Sequence, residues 1–181
     1  MEKFNFTSLA IPGVMIVEPR IFLDNRGGFA ETYNKKEFER AGIKEDFVQD
    51  NFSFSKKGVI RGLHFSKSPH ETVKLVRCIS GEIMDVAVDV RPDSPTFGKW
   101  VSETLSGDNQ KMLFIPKGFA HGFCALTDTV QVAYKVNDYY FPESEQGIIY
   151  NDKDLAINWP ETNPIMSDKD KILPSLKDLF R

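Results

Sequence analysis

Three histidines, His64, His70 and His121, are the side chains whose ordinary pKa lies near neutrality, and they are the first candidates for moving protons in this 181-residue chain. A base alone only removes a proton. Inverting a carbon beside a carbonyl also requires an acid on the opposite face and a cation or hydrogen-bond donor where enolate charge develops. His64 as base, Tyr134 as acid and Lys74 as enolate stabiliser would fill those roles. Each residue taken singly also has a plain structural use, so the combination matters only if the fold brings the three together.

A metal centre asks for a different pattern. Metal-binding barrels of the cupin type usually present two histidines one residue apart on one strand, with a carboxylate and a third histidine on a later one. The segment Pro116-Lys117-Gly118-Phe119-Ala120-His121 has the Pro-x-Gly-x-x-His form of that second half. The first half fails, because two residues after His64 stands Ser66, a poor metal ligand. No metal or other cofactor is therefore expected. Cys78 and Cys124 lie in apolar segments without the short spacing of a zinc knuckle or redox pair, and read as small buried hydrophobes of a reduced cytoplasmic protein.

The elements that must hold these groups are strands. Residues 14–22 form an apolar segment that ends in the turn-forming run Asp24-Asn25-Arg26-Gly27-Gly28. Strand-like segments follow at 47–54, 59–65, 73–79, 82–90, 99–105, 112–115, 123–126 and 129–136, and Ser80-Gly81 between two of them reads as a hairpin turn. Along 82–90 the alternation is strict, with Met84, Val86, Val88 and Val90 on one face and Asp85 and Asp89 on the other. Many short strands at this spacing mean an all-β sandwich or barrel. Helical signals are confined to 35–41, with Asn34 as cap and Gly42 as stop, and to 174–180, where Leu176, Leu179 and Phe180 form an apolar stripe.

Parity decides which side chains can meet, because alternate residues of a closed sheet point inside and outside. Tyr134 shares its face with Val130, Val132 and Val136 and is expected to point inward. Lys74 shares a face with Val76 and Cys78, an odd neighbourhood for an ammonium unless that face opens on a pocket. His64 falls with Ile60 and Gly62, and Gln49, Asn51 and Ser53 oppose Val48, Phe52 and Phe54. These polar files could converge inside a barrel or mark solvent-facing edges; pattern alone leaves both open.

Composition narrows the classes. Lys and Arg number 23 against 26 Asp and Glu, a net charge of −3 with no basic stripe, which argues against a nucleic-acid partner. The 41% hydrophobic share belongs to a globular chain, and 15 Phe point to a core built from large rings. The length fits one domain over residues 1–181, large enough to need neither metal nor disulfide for stability. No apolar run approaches the ~18 residues of a membrane span. Pro12-Gly13 breaks the stretch 9–17, so no signal segment or membrane partner is expected and the location is read as cytoplasmic.

More specific motifs run in order along the chain. Gln49-Asp50-Asn51, Ser53-x-Ser55, Arg61-Gly62-Leu63-His64, Lys74-Leu75-Val76 and Asp85-Val86-Ala87-Val88-Asp89 resemble the dTDP-4-dehydrorhamnose 3,5-epimerase family. So do Ser94-Pro95-Thr96-Phe97-Gly98, the segment 115–123 around His121, Tyr134-Lys135, Asn158-Trp159-Pro160 and Ser167-Asp168-Lys169-Asp170, with Asp24-x-Arg26-Gly27 and Glu31 near the start. The resemblance implies a cupin-like jelly-roll barrel with a few short peripheral helices, usually a homodimer, acting without metal on a nucleotide-linked 4-keto-6-deoxy sugar. It makes His64 the base at C3 and C5, Asp170 the partner that fixes its tautomer, Lys74 the enolate stabiliser and Tyr134 the acid. Arg26, Glu31, Gln49, Asn51, Arg61, Lys74, His121, Glu145 and Lys169 fall where the family contacts substrate, with Glu145 preferred to Glu143. Two departures flank the loop 67–71. The family commonly has Gln two residues after the histidine and Gln-Gly before the lysine, whereas here stand Ser66 and Thr72-Val73. They leave open a relative that inverts one centre, isomerises the ketone or uses another nucleotide.

Overall fold

Short alternating segments become strands because β-branched and aromatic side chains pack well on a pleated, half-buried surface. In the computed structural model, which describes residues 2–181, they are arranged as follows. The chain runs β1 (Phe4–Ser8), β2 (Met15–Pro19), β3 (Phe22–Asp24), β4 (Gly27–Phe29), α1 (Lys35–Arg40), β5 (Gln49–Lys56), β6 (Ile60–Ser66), β7 (Lys74–Ser80) and β8 (Glu82–Asp89). It continues through β9 (Trp100–Ser106), β10 (Met112–Ile115), β11 (Phe119–Ala125), β12 (Thr129–Val136), β13 (Glu145–Gly147), α2 (Asp168–Lys171) and α3 (Leu176–Leu179). One sheet has the order β1-β2-β10-β7-β12-β5, a second the order β13-β6-β11-β8-β9, and β3 and β4 form a separate hairpin. The pairings within each sheet are antiparallel, and the architecture is the expected cupin-like jelly roll with short peripheral helices.

Three apolar clusters hold the sheets. Between them, Val76, Cys78, Leu113, Val130 and Val132 from the larger sheet meet Ile83, Ala87, Leu105, Phe123 and Ala125 from the smaller. The outer face of the smaller sheet, with Leu63, Val86, Val88 and Ala120, is covered by Ile148, Leu155, Ile157 and Leu176. The outer face of the larger, with Val17, Leu75, Met112 and Phe114, is covered by Phe38 of α1 and by Ile43. Each fully buried side chain of this size contributes roughly 1.5–3 kcal/mol by leaving water.

Several sequence expectations are corrected. Ser80-Gly81 makes a sharp turn but no hairpin: β7 belongs to the larger sheet and β8 to the smaller, so the chain crosses between sheets there. Gly81 is required at that crossing, with φ of +78° and space so tight that a Cβ would lie 2.3 Å from the Thr129 carbonyl oxygen. The single strand expected over 14–22 is split, ending at Pro19 and resuming at Phe22 in the hairpin. The strand expected from 123 begins at Phe119, which puts His121 on a strand, and the short strands β1 and β13 and helix α2 have no counterpart among the sequence expectations. Asn34 occupies the N-cap position of α1 as expected, but its side chain makes no cap hydrogen bond; its amide donates to Glu31 instead, at 2.9 Å.

The polar and apolar files of β5 are inverted relative to an ordinary edge strand. Gln49, Asn51 and Ser53 line the barrel interior, while Val48, Phe52 and Phe54 face outward, Phe54 with 72% of its surface exposed.

Candidate active site

The interior is apolar at one end and hollow at the other. Along β7 the inward file runs Cys78, Val76, Lys74; along β12 it runs Val130, Val132, Tyr134; along β11 it runs Ala125, Phe123, His121. In each, the last residue leaves the core and enters a cavity. Two adjoining cavities, of about 540 and about 130 Å³, both touch His64, Lys74 and Tyr134. Arg61, His121, Lys169 and Asp170 line the larger; Gln49, Asn51 and Glu145 line the smaller.

His64 sits on β6 beside a register shift. His121 pairs with His64 and Phe123 with Arg61, so β6 carries one extra residue over that interval. The bulge turns Arg61, which strict alternation places on the other face, to the same cavity as His64. Gly62 makes it possible, with φ of +118° and its Cα packed so closely that a Cβ would lie 2.5 Å from the Gly122 Cα.

His64 Nε2 lies 2.8 Å from Asp170 Oδ1, and Asp170, in α2, is buried. A carboxylate only accepts, so in the neutral ring the proton sits on Nε2 and Nδ1 keeps its lone pair. Burial pushes the Asp170 carboxyl up, but hydrogen bonds from His64, the Gly62 amide and Ser167 outweigh it and hold the group below the usual carboxylate range. Lys74 Nζ makes one long hydrogen bond, to the His64 carbonyl at 3.4 Å. Burial pushes its ammonium down to about 8, against the opposing charges of Asp85 and Glu145. Burial likewise raises the Tyr134 phenol above its ordinary value, which keeps its proton in place at neutral pH.

Around this centre, Arg61 donates to Ser55 Oγ at 3.0 Å and to the Phe54 carbonyl at 3.1 Å. Gln49 donates to Asn51 at 2.8 Å. Glu145, opposite Ser66 across β13 and β6, accepts from Lys169 and from Tyr140 at 3.0 Å. Its carboxyl is raised by burial and lowered further by those two partners, for a net shift downward.

Arg26 and Glu31 stand apart from the other expected contacts. Arg26 is at the hairpin turn, its guanidinium paired with Asp24 at 2.6 Å and 85% exposed; Glu31 pairs with Lys3 and Asn34. Neither lines the two cavities, and among the described residues the hairpin of β3 and β4 that carries Arg26 pairs with no other strand. Sequence reasoning misses two features. Asp85 is buried beside His121, and the strict alternation on 82–90, which sets it apart from the apolar file, is the signal that could have found it. Tyr139, Tyr140 and Phe141 line the rim of the smaller cavity; lying past the last long strand, they give no periodic signal.

Comparison with known proteins agrees over nearly the full length. The family described as dTDP-4-dehydrorhamnose 3,5-epimerase matches residues 8–178. The chain is 53% identical over 167 residues to the dTDP-4-dehydrorhamnose 3,5-epimerase of Shigella flexneri, covering 92% of each. The crystal structure of the Bacillus anthracis enzyme of that name, with TDP and PPi bound, gives a TM-score of 0.93 at 50% identity over 95% of this chain and 99% of its own. That of a dTDP-6-deoxy-D-glucose-3,5-epimerase from Legionella pneumophila, in complex with dTDP-4-keto-L-rhamnose, gives 0.92 at 48% identity over 96% and 93%. Half-identity in sequence combined with the same path of the backbone leads to one conclusion: the chain belongs to the dTDP-4-dehydrorhamnose 3,5-epimerase family.

Proposed function

We infer that the chain is a dTDP-4-dehydrorhamnose 3,5-epimerase, an isomerase that inverts the two carbons flanking the C4 ketone of dTDP-4-keto-6-deoxyglucose. The observation that carries the mechanism is the origin of the two proton carriers: His64 comes from the smaller sheet and Tyr134 from the larger, so base and acid stand on opposite walls of one cavity. Inversion needs that arrangement, since a proton must leave one face of a carbon and return to the other.

His64 Nδ1 takes the proton from C3 or C5, and the electron pair moves into the carbonyl to give an enolate with charge on the C4 oxygen. The Lys74 ammonium stabilises that charge as it develops, between walls whose low polarity strengthens the interaction. Tyr134 donates its phenolic proton to the opposite face and the ketone reforms; the imidazolium and phenolate then return to their starting states through solvent. Asp170 holds the imidazole in one tautomer throughout. Arg61, Lys169, Gln49, Asn51, Glu145 and His121 provide the substrate contacts, with the guanidinium fork of Arg61 suited to the diphosphate.

We also propose a cytoplasmic homodimer. The exposed Phe52 and Phe54 on the edge strand β5, with Val48 just before it, form an apolar face that a second copy would cover. In that dimer the hairpin that carries Arg26 would reach the site of the second copy, which would account for an expected substrate contact standing away from its own cavity.

The test is turnover of dTDP-4-keto-6-deoxyglucose in deuterated water. Deuterium is expected at both C3 and C5, and His64→Ala abolishes its incorporation while retaining nucleotide binding. Exchange at one carbon only would replace the double inversion by a single-centre epimerase on the same scaffold.

A further inference from the structure

Across the pairing of β6 and β11, His64 and His121 are direct neighbours, and each ring has a carboxylate on its Nε2. Asp170 serves His64; Asp85, on β8, serves His121 at 2.7 Å. The proposed reaction uses only the first pair. The second is the more deeply set: Asp85 is 0% exposed, its Oδ1 meets His121, and its Oδ2 is buried without a hydrogen-bond partner among the described residues. A carboxylate left half-satisfied in an interior costs stability, and such a residue persists where its charge or geometry serves the site.

We propose that Asp85 is a positioning residue of this active site, holding His121 in the tautomer whose Nδ1 accepts a hydrogen bond from a substrate hydroxyl and setting a carboxylate beside Lys74. The inference rests on the epimerase reading above. With Asp85 accepting from Nε2, Nδ1 is the unprotonated nitrogen, and a lone pair there can meet only a donor. The ring stays neutral: burial lowers the His121 imidazole, the charges of Lys74 and His64 act in the same direction, and Asp85 opposes them only in part. His64 is the more exposed of the two rings, at 29% against 8% of the side chain, so it can reach a reacting carbon while His121 serves as a fixed acceptor.

The second part concerns Lys74. The titratable groups around it come from every neighbouring wall: His64 on β6, Asp85 on β8, His121 on β11, Tyr134 on β12 and Glu145 on β13. Of these, Asp85 and Glu145 favour its protonated form, Asp85 more strongly. Removing that carboxylate leaves the ammonium to the burial that already disfavours it.

Two measurements test this. In the unmodified protein, nitrogen-15 spectra of the imidazoles, with His121 identified by the loss of the other signals in His64→Asn and His70→Asn, are expected to show His121 protonated on Nε2 alone at neutral pH. A ring protonated on Nδ1, or an imidazolium, overturns the proposal, and this holds whether or not a variant folds. In Asp85→Asn, which keeps the side chain's shape, kcat on dTDP-4-keto-6-deoxyglucose is expected to fall about tenfold to a hundredfold with KM within about threefold. The alkaline limb of kcat/KM also moves about one pH unit toward acid. A folded Asp85→Asn protein with the wild-type kcat and the wild-type alkaline limb overturns it as well. Absence of turnover in the unmodified protein defeats the epimerase reading instead, and the ring measurement separates that failure from this one.

Discussion

Lys74 shows how a single residue can be suited to chemistry at a cost to the fold. Its ammonium titrates near 8 in the folded chain against 10.5 for an ordinary lysine, with burial as the cause. Between those values the unfolded chain binds more protons than the folded one, so stability rises with pH across that window. The penalty is fully present below pH 8, shrinks between the two values and is gone above 10.5. Lys74→Met is therefore expected to abolish deuterium exchange yet raise the thermal midpoint at pH 7 by a few degrees, a gain that shrinks when the melt is repeated near pH 10. A midpoint that falls at pH 7 would show that the ammonium is satisfied in place. The same residue is legible in the sequence alone, because a lysine in register with Val76 and Cys78 is an anomaly that a pocket resolves. Asp170 has no such signal: its partner is 106 residues away, and only the family resemblance points to it.

At the scale of the strand, parity is a sound guide wherever pairing is regular. It points Tyr134 inward and sets Lys74 in file with Val76 and Cys78, and the strand segments expected over 112–115 and 129–136 coincide with β10 and β12. It fails at β6, where the extra residue at the bulge brings Arg61 and His64 to one cavity although three positions separate them. A bulge depends on how closely two backbones approach, here Gly62 against Gly122, and no periodicity encodes that. Gly62→Ala is expected to cost roughly 2–4 kcal/mol, from its positive φ and from contact with backbone that cannot yield. Because His64 lies two residues on, kcat should fall along with the urea midpoint; a variant of unchanged stability and turnover would mean that the strand relaxes freely. The polar run after β8 serves the fold rather than the site. Burial pushes the Asp89 carboxyl up, but hydrogen bonds from Arg91, Ser94 and Thr96 reverse this and hold it well below the usual range, tying the turn that leads to β9.

For the whole molecule, the outward file of β5 matters most. Covered outer faces account for the two flanking clusters, whereas Phe52 and Phe54 at the sheet edge meet nothing among the described residues that buries them. Phe52→Lys together with Phe54→Lys is expected to convert a dimer to a monomer in sedimentation velocity at about micromolar concentration, since charge at a sheet edge blocks association. A wild-type protein that sediments as a monomer under the same conditions removes the homodimer from the reading. The files that run from core to cavity have one more consequence. Lys74, Tyr134 and His121 each stand two residues, about 7 Å, beyond a buried apolar side chain of the same strand. Those three groups therefore have no flexible mounting of their own that could melt first, and heat removes the enolate stabiliser and the acid in the same cooperative event that separates the two sheets.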